Sequence, residues 1–177
     1  MIFAFDFDRT LFDTDADMAA ITAENATHLI GDPAVNHVVD PTPFLYGDTI
    51  PFLVSHERSR LYIVSAVTAR YGPLAEAYQR DKIVRTGVAS LVNEVLLTGD
   101  SKVAALSSLL EKYRHEHVVF IDDKTDVLLE VLHALPELVC VHMVRKGAKR
   151  MSDVTLPEHI PVIQSLAGLA PIVTRYE

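Results

Sequence analysis

The chain has only one cysteine, Cys140, in 177 residues, which rules out an intramolecular disulfide. No apolar stretch approaches the ~20 residues needed to span a bilayer, so the positive mean hydropathy reports a well-filled core and no membrane partner is expected. Positive charge is also scarce: 16 Lys and Arg stand against 24 Asp and Glu, and the formal net charge of −8 argues against a general basic surface for nucleic acid. No charged start followed by an apolar segment marks a secretory leader, and with the lone cysteine this makes a reducing cytoplasm the expected location. No GxGxxG follows the first apolar run, which argues against a dinucleotide-binding dehydrogenase. Repeats and low-complexity segments are also missing. What is present, 177 residues at 49% hydrophobic content, suits one domain over residues 1–177.

Short apolar runs alternate with segments of helical period, the signature of βα units feeding a parallel sheet. Strands are expected at Ile2 to Phe7, Leu61 to Ser65, Val95 to Leu97, Val118 to Ile121 and Leu138 to Met143. Pro73 to Thr86 reads as a helix that Gly87 ends. Ser101 can cap the next helix, whose stripe is Val103, Leu106, Leu109, Leu110 and Tyr113, and a second stripe runs through Val127, Leu128, Val131, Leu132 and Leu135. Thr14 or Asp15 could cap a helix running towards Ile30, another helix is expected from about Asp48, and "DPTPFLYGD" between them reads as extended. "RKGAKR" is expected to be a solvated loop, and Ile160 to Leu169 a closing helix.

The polar residues that interrupt this pattern fall at strand ends, where open parallel sheets bind ligands. Asp6 and Asp8 end the first strand, Ser65 ends the second, Lys102 starts the helix after the third, and Asp122, Asp123 and Asp126 follow the fourth. Singly, each is ordinarily a cap, a turn former or a solvated charge. Together they bring up to four carboxylates to one crevice, and like charges that close call for a cation. A hard, oxygen-seeking divalent ion such as Mg²⁺ suits such a ligand set.

"DFDRT" resembles the DxDxT signature of the haloacid dehalogenase superfamily, the phosphatases and phosphotransferases that use an aspartyl-phosphate intermediate. "LYIVS", Lys102 and "VVFIDDKTD" are similar to its second, third and fourth motifs, in the same order. The resemblance covers roughly Met1 to Met143 and implies an α/β fold: a Rossmann-like three-layer α/β/α sandwich around a central parallel sheet. It implies Asp6 as nucleophile, Asp8 as general acid and base, and Ser65 and Lys102 as the phosphate-binding groups, with Thr68 a rival to Ser65. Mg²⁺ would take Asp6, the Asp8 carbonyl and Asp122, while Asp123 and Asp126 would stand in an outer shell. Arg9 occupies the place of the frequent glycine in DxDGT.

The interval from Ala66 to Ser101 is too short for a large cap domain, and residues 11–60 hold enough chain for a flap or a minimal helical lid. A small phosphorylated substrate is expected, with phosphoproteins and nucleotides left open. The rival from another class is a receiver-like phospho-regulatory domain, which would carry its aspartate after the third strand, where Asp100 stands in "LLTGD", or else a binding protein without turnover. His115 and His117 lack a convergent third ligand and read as surface residues.

Overall fold

The computed structural model describes residues 1–68, 72–149 and 154–176. In it, β1 (Ile2–Phe5), β2 (Leu61–Ala66), β3 (Glu94–Thr98), β4 (Val118–Asp122), β5 (Val139–Met143) and β6 (Val162–Ile163) form one parallel sheet in the order β3-β2-β1-β4-β5-β6. The helices are α1 (Thr14–Ala23), α2 (Val35–Val38), α3 (Thr49–Ser55), α4 (Ala75–Arg85), α5 (Val103–Lys112), α6 (Thr125–Ala134) and α7 (Ala170–Val173). The central strands read as unbroken apolar runs because helices cover both faces of the sheet.

On one face Phe3, Phe5, Ile63, Val119, Ile121 and Val141 meet Leu53 of α3, Ile83 of α4 and Ile172 of α7. On the other, Ile2, Ala4, Tyr62, Val64, Phe120 and Cys140 meet Leu106 and Leu109 of α5 and Leu128 and Val131 of α6, the two stripes expected from sequence. Each fully buried aliphatic or phenyl side chain contributes roughly 1.5–3 kcal/mol, so these two layers dominate the stability of the fold. No helix among the described residues is long and apolar enough to cross a membrane.

Between β1 and β2 the chain builds no large cap. It forms a small cluster of Ile21, Ala26, Val35 and Val39 that rests on Tyr78 of α4. Helix α1 is capped by neither expected residue: Asp13 accepts from the Ala16 N–H at 3.0 Å. The Thr14 hydroxyl donates to Asp8 instead, and Asp15 pairs with Arg9, so both rivals are engaged elsewhere. The helix also stops at Ala23, well short of Ile30. The expected extended connection contains a 3₁₀ turn at Thr42–Phe44, started by Asp40, whose side chain accepts from the Thr42 N–H.

Two further expectations fail at the C-terminal side. Ile160 to Leu169 is not a helix but β6 followed by a 3₁₀ turn at Leu166–Leu169. Its apolar spacing suits a helix, yet Ile160 belongs to one layer and Ile163, Leu166 and Leu169 to the other. Arg145 is not solvated: its guanidinium is buried, donating to the Thr10 carbonyl and to Asp48 at 2.8 Å, above the Tyr46 ring. Arg150, the last residue of that basic stretch, lies outside the described residues.

Candidate active site

Strand order reverses between β1 and β4, and a crevice at such a switch point is where doubly wound sheets bind ligands. Phe5 lies beside Ile121, and the Asp6 N–H donates to the Ile121 carbonyl at 2.8 Å, so Asp6 emerges next to Asp122, the last residue of β4. Lys102, at the start of α5, reaches both: its buried ammonium donates to Asp6 Oδ1 and, at 2.7 Å, to Asp122 Oδ2. The other Asp122 oxygen accepts from the Lys124 N–H at 2.8 Å.

Asp6, Asp122 and Asp123 each offer an oxygen within 4.8 Å of the others. Burial, together with the neighbouring Asp122 and Asp8, pushes Asp6 up to about 6 even though Lys102 pulls it down. Burial next to Asp6 and Asp122 pushes Asp123 up to about 8, and its Oδ1 is buried without a hydrogen-bond partner. Lys102 thus pairs with two of the three clustered carboxylates, while Asp123 is drawn down by the charges of Lys124 and Arg9; all three are oxygen donors suited to a hard divalent cation.

Asp8 has a different environment. Beyond β1 the chain turns tightly: the Leu11 N–H returns to the Phe7 carbonyl, the Arg9 N–H donates to the Phe12 carbonyl, and Arg9 takes φ 59°. That left-handed backbone is easy for glycine and strained for arginine, and Arg9 is held there by Asp15 at 2.7 Å. Asp8 Oδ1 accepts from Lys82 at 2.5 Å and from the Thr14 hydroxyl at 2.8 Å, and Oδ2 accepts from Gln79 Nε2 at 2.7 Å. Burial opposes the charge on Asp8, but Lys82 and these hydrogen bonds bring it down to about 2. Lys82 is itself buried against Phe12, Tyr78 and Phe7, with 5.0 Å from its nitrogen to the Phe12 ring centre. A cleft of about 290 Å³ opens here, bordered by Asp8, Arg9, Thr68, Tyr78, Gln79 and Lys82.

Ser65 is buried at the end of β2 and its oxygen accepts from Gln79 at 3.0 Å, while Thr68 borders the cleft. Asp123 lies within the carboxylate cluster, whereas Asp126 is exposed in the first turn of α6 and outside it. Asp100 is exposed beyond the edge strand β3, and His115 and His117 are exposed after α5. Gln79 and Lys82 are the polar residues that sequence reading missed. The signal was there: Ala75, Tyr78, Gln79, Lys82 and Ile83 are the buried stripe of α4, and two polar side chains sit where an amphipathic helix carries apolar ones.

No protein-family model matches the sequence, and no curated protein matches it. Solved structures do. A protein of Burkholderia xenovorans assigned as a haloacid dehalogenase-like hydrolase superposes with a TM-score of 0.70 at 17% identity, covering 99% of this chain and 97% of that one. The L-2-haloacid dehalogenase of Xanthobacter autotrophicus gives 0.60 at 14% identity, with 99% of each chain covered. Protein tyrosine kinase A of Mycobacterium tuberculosis gives 0.61 at 15%, with 97% of each covered. At these identities the likeness is one of fold, and this chain has the haloacid dehalogenase-like fold. Hydrolase, dehalogenase and kinase are all named among its neighbours, so function has to be argued from the site.

Proposed function

We propose that the chain is a phosphatase that hydrolyses a small phosphorylated metabolite through an aspartyl-phosphate on Asp6, with Mg²⁺ as its cofactor. The observation that carries this reading is at the mouth of β1 and β4, where three carboxylates offer oxygens within 4.8 Å of one another and Lys102 pairs with only two of them. Asp6, Asp122 and the Asp8 carbonyl would hold the cation, and the unpartnered buried oxygen of Asp123 fits beside them. The bound cation would offset carboxylate charge and make room for a dianionic phosphoryl group.

In the proposed reaction an Asp6 oxygen bonds to phosphorus while the bond from phosphorus to the leaving oxygen breaks. Lys102 and the Ser65 hydroxyl hold charge on the phosphoryl oxygens. Water then attacks phosphorus, Asp8 takes its proton, and the Asp6 carboxylate is released with inorganic phosphate. Ionised beside Lys82, Asp8 is ready for that second half. An alkoxide leaving group needs a proton in the first half, which Asp8 would deliver from the water it deprotonated in the preceding turnover; a phenolate departs without one.

The dehalogenase reading fits less well. Displacement of a halide by Asp6 and hydrolysis of the resulting ester call for no cation, which leaves the clustering of Asp122 and Asp123 beside Asp6 without a purpose. The test is turnover of p-nitrophenyl phosphate and of L-2-chloropropionate with and without Mg²⁺. Phosphate release that chelation abolishes is the expected result; chloride release, or undiminished phosphate release in verified metal-free protein, overturns the reading. Transfer of the phosphoryl group from p-nitrophenyl phosphate to an added tyrosine peptide, with no release to water, would make it a phosphotransferase instead.

A further inference from the structure

Helix α4 carries two buried polar side chains, at i and i+3, on one face and aims both at strand ends. The Gln79 amide nitrogen lies 2.7 Å from Asp8 Oδ2 and 3.0 Å from Ser65 Oγ. An ionised carboxylate can only accept, so the amide must present its N–H₂ group there. Having accepted from that amide, the Ser65 oxygen keeps its own O–H to donate elsewhere. Ser65 lies on β2 and Asp8 in the turn beyond β1, and Gln79 hydrogen-bonds to both.

We infer that Gln79 is a positioning residue, whose amide fixes the Ser65 hydroxyl and the Asp8 carboxylate relative to one another so that both meet one phosphoryl group. Lys82 completes the clamp from the other Asp8 oxygen. The inference rests on the phosphatase reading of the same site. An apolar side chain would fill the place of Gln79 but leave Ser65 free to rotate and Asp8 Oδ2 without its donor. Groups that orient a reacting side chain are worth roughly 10- to 100-fold when removed.

The experiment compares wild type, Gln79→Met, the isosteric Gln79→Glu, and Arg80→Ala as a control on the exposed face of the same helix. The readouts are kcat and KM for p-nitrophenyl phosphate with Mg²⁺, inhibition by inorganic phosphate, and melting temperature. Gln79→Met is expected to weaken phosphate inhibition and to lower kcat, each by about tenfold. Gln79→Glu, which turns a donor into a like charge facing Asp8, should lose more, and Arg80→Ala nothing. If both Gln79 variants stay within about twofold of wild type, or lose activity equally and in step with melting temperature, Gln79 is only packing and the inference falls. If wild type hydrolyses no phosphate ester at all, the phosphatase reading falls first and takes the clamp with it.

Discussion

Asp6 and Asp8 stand two residues apart on one strand end, yet their surroundings oppose each other. Asp6 shares Lys102 with Asp122 and lies beside Asp123, and it is pushed up to about 6; Asp8 has Lys82, Thr14 and Gln79 and is brought down to about 2. Burial raises both and each has one lysine, so the difference comes from the carboxylates Asp122 and Asp8 that push Asp6 up and the Thr14 and Gln79 donors that help hold Asp8 down. The Asp8 side is complete within the protein, and the Asp6 side is short of positive charge. In the proposed reaction the nucleophile meets a phosphate dianion and needs a further cation beside it, whereas the base keeps its charge beside Lys82 alone.

The sharpest way to break this comparison is to remove each carboxylate in turn. Asp6→Asn should abolish both turnover and acquisition of a phosphoryl group from an activated donor. Asp8→Asn should keep the transfer but slow release, so that phosphoprotein accumulates in intact-mass spectra. Phosphorylation of Asp6→Asn would place the nucleophile elsewhere, with Asp100 the first residue to examine.

The two lysines should also differ. Lys102→Met leaves Asp6 and Asp122 buried without their shared partner, and breaking a buried ion pair costs about 3–5 kcal/mol. Because the variant site is more negative, millimolar Mg²⁺ should restore part of the lost melting temperature. Lys82→Met should be destabilised as well but gain no more from Mg²⁺ than wild type does. Equal Mg²⁺ rescue of both variants would erase the proposed division between the two sides. A smaller effect is expected in wild type, where Mg²⁺ should raise the melting temperature by a few degrees and Asp122→Asn should lose that rise.

Much of this organisation was legible in the sequence, and the exceptions have physical reasons. The five longer strands stood out because their runs are buried on both faces, and the residues at their ends stood out because polar groups there interrupt an apolar pattern. β6 was not legible: two residues at a sheet edge, one of them exposed, carry too little pattern to outweigh the helical spacing of Ile160, Ile163, Leu166 and Leu169. The meeting of Asp6 and Asp122 was implied by the resemblance of "VVFIDDKTD" to the fourth motif, and its physical basis is that β1 and β4 are neighbours in the sheet. Lys82 and Gln79 reach Asp8 across 74 and 71 positions of chain, and spacing alone gives no sign of such contacts.

The smallest prediction concerns Asp17, a second carboxylate on the Lys82 side. It is buried on α1, its Oδ2 has no hydrogen-bond partner, and Lys82 is already committed to Asp8. Burial, aided by the neighbouring Asp8, pushes it from the ordinary 3.8 up to about 6 despite the attraction of Lys82. Its position in the first turn of α1 favours the charged form by about 0.3–1 kcal/mol, too little to reverse the effect of burial. With a folded value above the unfolded one, the folded state binds more protons between pH 4 and 6. Whatever stability the protonated group allows is therefore present below pH 4 and lost as pH rises through 6. Asp17→Asn removes the ionisation, so the variant should be more stable than wild type at pH 7.5 by about 1–3 kcal/mol. That advantage should fade by pH 4, as read from denaturant midpoints across the range. A variant less stable than wild type at pH 7.5 would show that the charged carboxylate is wanted, with Lys82 shared between Asp8 and Asp17 rather than reserved for Asp8.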